Sequence, residues 1–284
     1  MLLDREEYIE QAHFFRSLIE RMGQNLATQD VLVSLREEAL ASTKLPLAID
    51  YLAAELRHSG EMAPAVAKLS HYFTAFQTYV ISEAENPHGL FDFRIGLDIL
   101  QREADYRSKT PKRQGVFLYQ FEAICRNRLG YDQGLAAVAE DPTFDFPWKQ
   151  WILTVRRQIG IFDLATLIYV RSEYYIQKQK EHGLPIPENE AESTVLFGKK
   201  EGQIALANRG KEPLFLFAAL QRQLDYPVVP RTKPVNHSRD VIPLLSRRVE
   251  RLESRLKMLE DEQRRGSIDL EPFYTPPNQR PLEP

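Results

Sequence analysis

The sequence predicts a mainly α protein: an irregular multi-helix bundle, with a small β-hairpin over residues 194–208 and a coiled-coil helix near the C-terminus. Three observations carry this. Apolar residues recur with a period near 3.6 from residue 4 to about 182. The stretch VLFGKKEGQIALA breaks that rhythm with two short apolar runs around a glycine-bounded turn. Residues 241–261, VIPLLSRRVERLESRLKMLED, alternate apolar steps of three and four with charges almost everywhere else.

Taken in order, Tyr8, Ala12, Phe15, Ile19 and Met22 form the first stripe, closed by Gly23. Thr28 is placed to cap a second helix running to Leu40. TKLP at 43–46 ends that element and opens a third, which reaches His58 and stops at Gly60. Val66, Leu69, Phe73, Phe76 and Val80 predict one long fourth helix, terminated by NPHG at 86–89. Phe93, Leu97, Leu100 and Ala104 mark a fifth. The sixth follows the basic loop RSKTPKRQG and carries Leu118, Phe121, Cys125 and Leu129. Shorter windows at 131–140 and 146–159 and a long one from Asp163 to Lys180 complete an all-helical domain over 1–182. Residues 183–226 read as the hairpin, with two helical turns as the alternative, followed by an apolar helix that starts at Pro213. Proline is well placed there because the first turn's amides lack helical partners. No fixed repeat period emerges.

The chain continues through a Pro-rich linker at 227–239, stiffened by Pro227, Pro230 and Pro234. A coiled-coil helix at 240–266 follows, and then a Pro-rich tail at 267–284 that lacks periodicity and is expected to be disordered on its own. With Ile242 at heptad position a, Ile242, Val249 and Leu256 fall at a and Leu245, Leu252 and Leu259 at d. β-branched residues at a with leucine at d favour two parallel strands. Arg248 and Arg255 at g meet Glu253 and Glu260 at e of a parallel partner, whereas an antiparallel pair sets like charges together. The expected assembly is therefore a homodimer. Docking of this helix on its own body is the alternative, because Leu244 and Met258 widen the stripe.

Of 284 residues, 43% are hydrophobic and 27% charged, a composition that folds in water. The first 226 residues hold 26 Lys and Arg against 31 Asp and Glu, while residues 227–266 hold 10 against 6. The body is thus mildly acidic, and nucleic acid is not an expected partner, because phosphate binding calls for a basic face. The cations of RSKTPKRQG, Arg107, Lys109, Lys112 and Arg113, read as a solvated loop without an aromatic platform. One cysteine, Cys125, allows no intrachain disulfide, and the acidic N-terminus is unlike a secretory signal. LFLFAAL at 214–220 is far too short to span a bilayer, which needs about 20 residues. A cytoplasmic protein that does not enter membranes is expected.

No nucleophile elbow, phosphate loop, dinucleotide fingerprint or cysteine metal pair is present in the sequence. Glu10 with His13 and Glu55 with His58 have the i, i+3 spacing of carboxylate metal sites. Glu10, however, lies about 160° from Ala12 on its helix, which predicts a solvent-facing side chain. No metal and no cofactor are expected. The aromatics of HYFTAFQTYV and RSEYYIQ are expected to fill core, as is Cys125.

Two charges fall inside apolar stripes, Glu122 beside Leu118, Phe121 and Cys125, and Arg171 in line with Leu164, Leu167 and Tyr175. Each needs a partner, because an isolated buried charge is costly. A Glu122–Arg171 bridge is the plain expectation, with Arg126 an alternative partner one turn away, and a polar pocket between the helices the sharper one. The function expected from the whole is non-enzymatic: an assembly or adaptor protein that self-associates and presents a helical body to an unidentified protein partner. The rival is a helical enzyme or small-ligand protein with its site around Glu122 and Arg171.

Overall fold

The computed structural model describes residues 2–22, 28–86, 89, 91–182 and 194–231, and every statement of structure below concerns these. They are mainly helical. Thirteen helices follow one another: α1 (Arg5–Met22), α2 (Thr28–Glu38), α3 (Leu45–Ser59), α4 (Ala63–Lys68), α5 (Ala75–Glu85), α6 (Phe93–Arg107), α7 (Arg113–Arg126), α8 (Tyr131–Ala139), α9 (Phe146–Gln158), α10 (Leu164–Val170), α11 (Glu173–Glu181), α12 (Lys199–Ala207) and α13 (Pro213–Leu224). The described residues belong to one compact unit.

Local chemistry explains many of the boundaries. Asp92, Asp145 and Asp163 cap α6, α9 and α10 by accepting from first-turn amides. Gly60 closes α3 at φ 73°, a left-handed conformation that glycine adopts without a Cβ penalty. Pro213 opens α13 as expected.

α1 lies along α6 on one side and against α2 and α3 on the other. α6 also contacts α5 and α7, α7 contacts α8 and α13, and α12 joins α10, α11 and α13. Because α1 is covered from two directions, Glu10 does not face water. Its Oε2 accepts from the Leu40 amide at 3.0 Å, and Glu7 Oε1 accepts from the Lys44 amide at 2.8 Å. Both carboxylates are buried and hold the α2–α3 turn, where a one-stripe reading of α1 had only solvent.

Three expected elements differ. The single helix over Val66–Val80 is two, α4 and α5, because Thr74 and Gln77 form a capping box. The Gln77 amide donates to Thr74 Oγ1 at 3.3 Å and the Thr74 amide to Gln77 Oε1 at 3.0 Å. The window from Asp163 to Lys180 also divides: Ser172 Oγ accepts from the Tyr175 amide at 3.2 Å and starts α11 anew.

The hairpin over 194–208 is absent. Leu196 and Phe197 are extended, and both amides donate to the Arg171 carbonyl, at 2.9 and 3.1 Å, but residues 199–207 are α12. Gly202, which suggested a turn, is a glycine of close approach. A Cβ there would lie 2.2 Å from Ser172 Oγ and 2.6 Å from Ser172 Cβ. The chain from Pro227 to Arg231, the start of the expected linker, runs against the body: Val228 and Pro230 carbonyls accept from Arg102 and Asn127, each at 3.0 Å.

One continuous core links α1 to α13. Its aromatic centre is Phe117, Trp148, Trp151 and Phe197, with the Phe197 ring 5.3 Å from Trp148 and 5.1 Å from Trp151.

Candidate functional site

The break between α4 and α5, at residues 69–74, borders a cleft. Its other walls are the start of α1 (Leu3, Tyr8), the outer face of α5 (Thr78, Tyr79, Ser82) and the end of α8 with the residues after it (Ala137, Glu140, Pro142). The volume is about 550 Å³, within the range of small-molecule sites. HYFTAFQTYV, whose aromatics are expected in the core, supplies both: Phe76 and Val80 are buried, while His71, Thr74 and Thr78 line the cleft.

The rear wall is braced by buried amides. Gln11 Nε2 donates to the Tyr72 carbonyl at 3.2 Å and Gln77 Nε2 to Gln11 Oε1 at 3.2 Å, while Gln77 Oε1 holds the Thr74 amide. Gln11 and Gln77 thus fix the backbone of the 69–74 turn to α1. The Tyr79 hydroxyl donates to the Gly130 carbonyl at 2.9 Å. Burial pushes the Tyr72 phenol above its ordinary value, and the neighbouring Glu7 carboxylate adds to this. Burial also raises Tyr8 and Tyr79, so the phenols of this wall are neutral groups. The side chains of Ser70, His71, Ser82 and Glu140 are exposed and carry no hydrogen bond or ion pair among the described residues.

Behind Tyr8 lies a closed ionic cluster. Arg107 is at the end of α6, with its side chain 3% exposed, against 1% for Glu103 and 0% for Asp141. The guanidinium donates to Glu103 Oε1 through Nη2 at 2.9 Å and Nε at 3.2 Å, to both oxygens of Asp141, and to Thr143 Oγ1 at 2.8 Å. Gln120 Nε2 donates to Glu103 Oε1 at 2.7 Å and to Asp141 Oδ2 at 3.0 Å. The Arg107 guanidinium also sits 5.9 Å from the centroid of the Tyr8 ring.

Burial would raise Asp141, but Arg107 and the Thr143 amide more than offset it and hold the carboxyl below its ordinary value. Glu103 is pushed up, by burial first and by the charge of Asp141. Glu103 Oε2 and Gln120 Oε1 are buried acceptors without a donor, and a proton on Glu103 would supply one. The guanidinium is turned to these partners, so the chemistry open to the cleft is that of hydroxyls, one imidazole and one carboxylate.

Arg107 is therefore no part of a solvated basic loop. Lys109 and Arg113 of the same stretch pair with Asp105 and Asp145. Glu122 is buried. Its ion pair is with Arg126, one turn along α7, and its Oε2 accepts from the Tyr226 hydroxyl at 2.7 Å. The ion pairs among the described residues include none between Glu122 and Arg171. Arg171 is half-buried at the C-terminal end of α10, where its carbonyl receives the extended 196–197 segment. His13 and His58 are exposed, Glu55 pairs with Lys68, and no group of His, Cys, Asp and Glu among the described residues is arranged to hold a metal ion.

Burial pushes the half-buried Cys125 thiol up to about 12, against the thiolate form a nucleophile needs. Among the described residues no helix is long and apolar enough to cross a membrane. The heptad residues from Ile242 to Glu260 and the Pro-rich tail lie outside the described residues.

Sequence reasoning passed over Glu103, Gln120 and Asp141, and the cleft itself. The signals were Glu103 four residues before Arg107 and the Thr-x-x-Gln box at 74–77, which breaks the helix and opens the cleft. Comparisons with protein-family models, with curated proteins and with solved structures find no match to this chain.

Proposed function

We propose that the chain is a non-enzymatic assembly or adaptor protein of the cytoplasm, which pairs with a second copy through a parallel coiled coil and offers its helical body to a protein partner. The observation that carries this is the heptad pattern of residues 242–260. Ile242, Val249 and Leu256 at a, Leu245, Leu252 and Leu259 at d, and Arg248, Arg255, Glu253 and Glu260 on the flanks all favour one geometry.

The rival, an enzyme or ligand-binding site around Glu122 and Arg171, is weakened by the partners of Glu122. A carboxylate engaged by Arg126 and Tyr226 is a structural tie between α7 and the segment after α13. Light scattering on the eluting full chain is expected to give twice the mass of one chain, and a 1–239 truncation the mass of one. A monomeric full chain refutes the proposal, and a truncation that stays dimeric moves the interface into the body.

A further inference from the structure

We infer that the cleft between the 69–74 turn, α5 and the end of α8 binds a small organic amine in its ammonium form. Its charge selectivity follows from what lines it. Leu3, Tyr8, Phe73, Tyr79, Ala137 and Pro142 give apolar walls, and the polar groups are hydroxyls, the His71 imidazole and the Glu140 carboxylate. No lysine or arginine is among the lining residues. An anion would enter a site with a carboxylate and no fixed cation, whereas an ammonium group meets a carboxylate and hydroxyl acceptors.

Glu140 occupies a position that helix electrostatics disfavours. It is the C-terminal cap of α8, and its amide donates to the carbonyls of Ala136 at 3.2 Å and Ala137 at 3.3 Å. The helix dipole makes this end partially negative, so lysine, arginine or histidine is the favoured residue there. Glu140 adds a full negative charge and has no ion pair among the described residues. Arg107 does not neutralise it, because the guanidinium donors are directed to Glu103, Asp141 and Thr143. A bound ammonium supplies the missing cation.

The site is also braced. Gln11 and Gln77, both fully buried, hold the 69–74 turn to α1 and α5, so its backbone is positioned before a ligand arrives. Tyr79 is pinned to Gly130, and Glu140 directly precedes Asp141, which Arg107 anchors.

Three probes of one shape separate charge from shape: phenethylamine as its ammonium form, 2-phenylethanol and phenylacetate, each titrated into the full chain and followed by calorimetry or protein NMR. The ammonium probe is expected to bind about five-fold more tightly than the alcohol, the order of an exposed ion pair, and phenylacetate more weakly than either. Glu140→Gln is expected to abolish the preference for the ammonium form over the alcohol. Ser82→Trp, which fills the cleft from α5, is expected to abolish binding of all three, with circular dichroism verifying that both variants fold. Absence of binding at millimolar probe overturns the inference, as does phenylacetate binding as well as the amine, an unchanged preference in Glu140→Gln, or unchanged binding in a folded Ser82→Trp.

Discussion

Replacing Arg107 with alanine is expected to cost about 3–5 kcal/mol of folding stability, the range for removing one partner of a buried ion pair. The side chain is nearly inaccessible and holds Glu103 from α6, Asp141 after α8 and Thr143 in one cluster. Without it two buried carboxyls face each other, with Gln120 donating to both and the Thr143 amide to Asp141. Urea unfolding followed by circular dichroism measures the loss, and a change below 1 kcal/mol would show that the cluster is solvated or dispensable. Glu103→Gln should be far milder, because Glu103 is already pushed toward its neutral form.

The pH dependence has a definite sign. Asp141 is held below its ordinary value, so its contribution is present above the unfolded pKa of about 3.9 and is lost as pH falls through the lowered folded value. Glu103, raised, works in the other direction, its contribution falling away as pH rises through its folded value. Arg107→Ala should remove the acid-side dependence contributed by Asp141.

Phe197→Ala is expected to cost about 3–5 kcal/mol, the range for truncating a buried aromatic. The ring is 1% exposed and packs edge-on against both Trp148 and Trp151. These are the two tryptophans of the chain, so tryptophan emission reports on this aromatic centre. The segment around Phe197 otherwise rests on the backbone bonds to Arg171 and Glu173 and on Gln114 Nε2, which donates to the Leu196 carbonyl at 2.6 Å. Removing the ring should loosen the segment around Phe197 from α9 and shift tryptophan emission to the red. A variant of nearly native stability with unshifted emission would contradict this packing.

The helices were legible because their information is local. A stripe such as Phe93, Leu97, Leu100 and Ala104 needs only its own period, and Gly60 or Pro213 marks a boundary by its own backbone preference. The breaks at residues 69–74 and 171–172 are also local, but the apolar period runs on through them and the caps at Thr74 and Ser172 are short signals against a long one. Gly202 was misread because the reason for a glycine there, the Ser172 side chain, lies thirty residues earlier in the chain.

The ionic clusters show the same limit. That Glu122 requires a partner follows from its stripe, and Arg126 was readable at i+4. Tyr226, 104 residues away, was not. Glu103 and Arg107 are neighbours on α6, but Asp141 joins them only because α8 returns the chain to that point. The cleft belongs wholly to this non-local class, since its walls come from the start of α1, from the turn before α5, from α5 itself and from the end of α8.

The parallel pairing of the C-terminal heptads is tested most directly by a single cysteine. In a Cys125→Ser background, Leu245→Cys places a thiol at a d position near one end of the stripe, where a parallel partner presents the same residue and an antiparallel one presents the far end. Mild oxidation of dilute protein is expected to give a covalent dimer in high yield. A chain that stays monomeric under those conditions, or one that cross-links only when Leu245→Cys is combined with Leu256→Cys, contradicts the parallel pair.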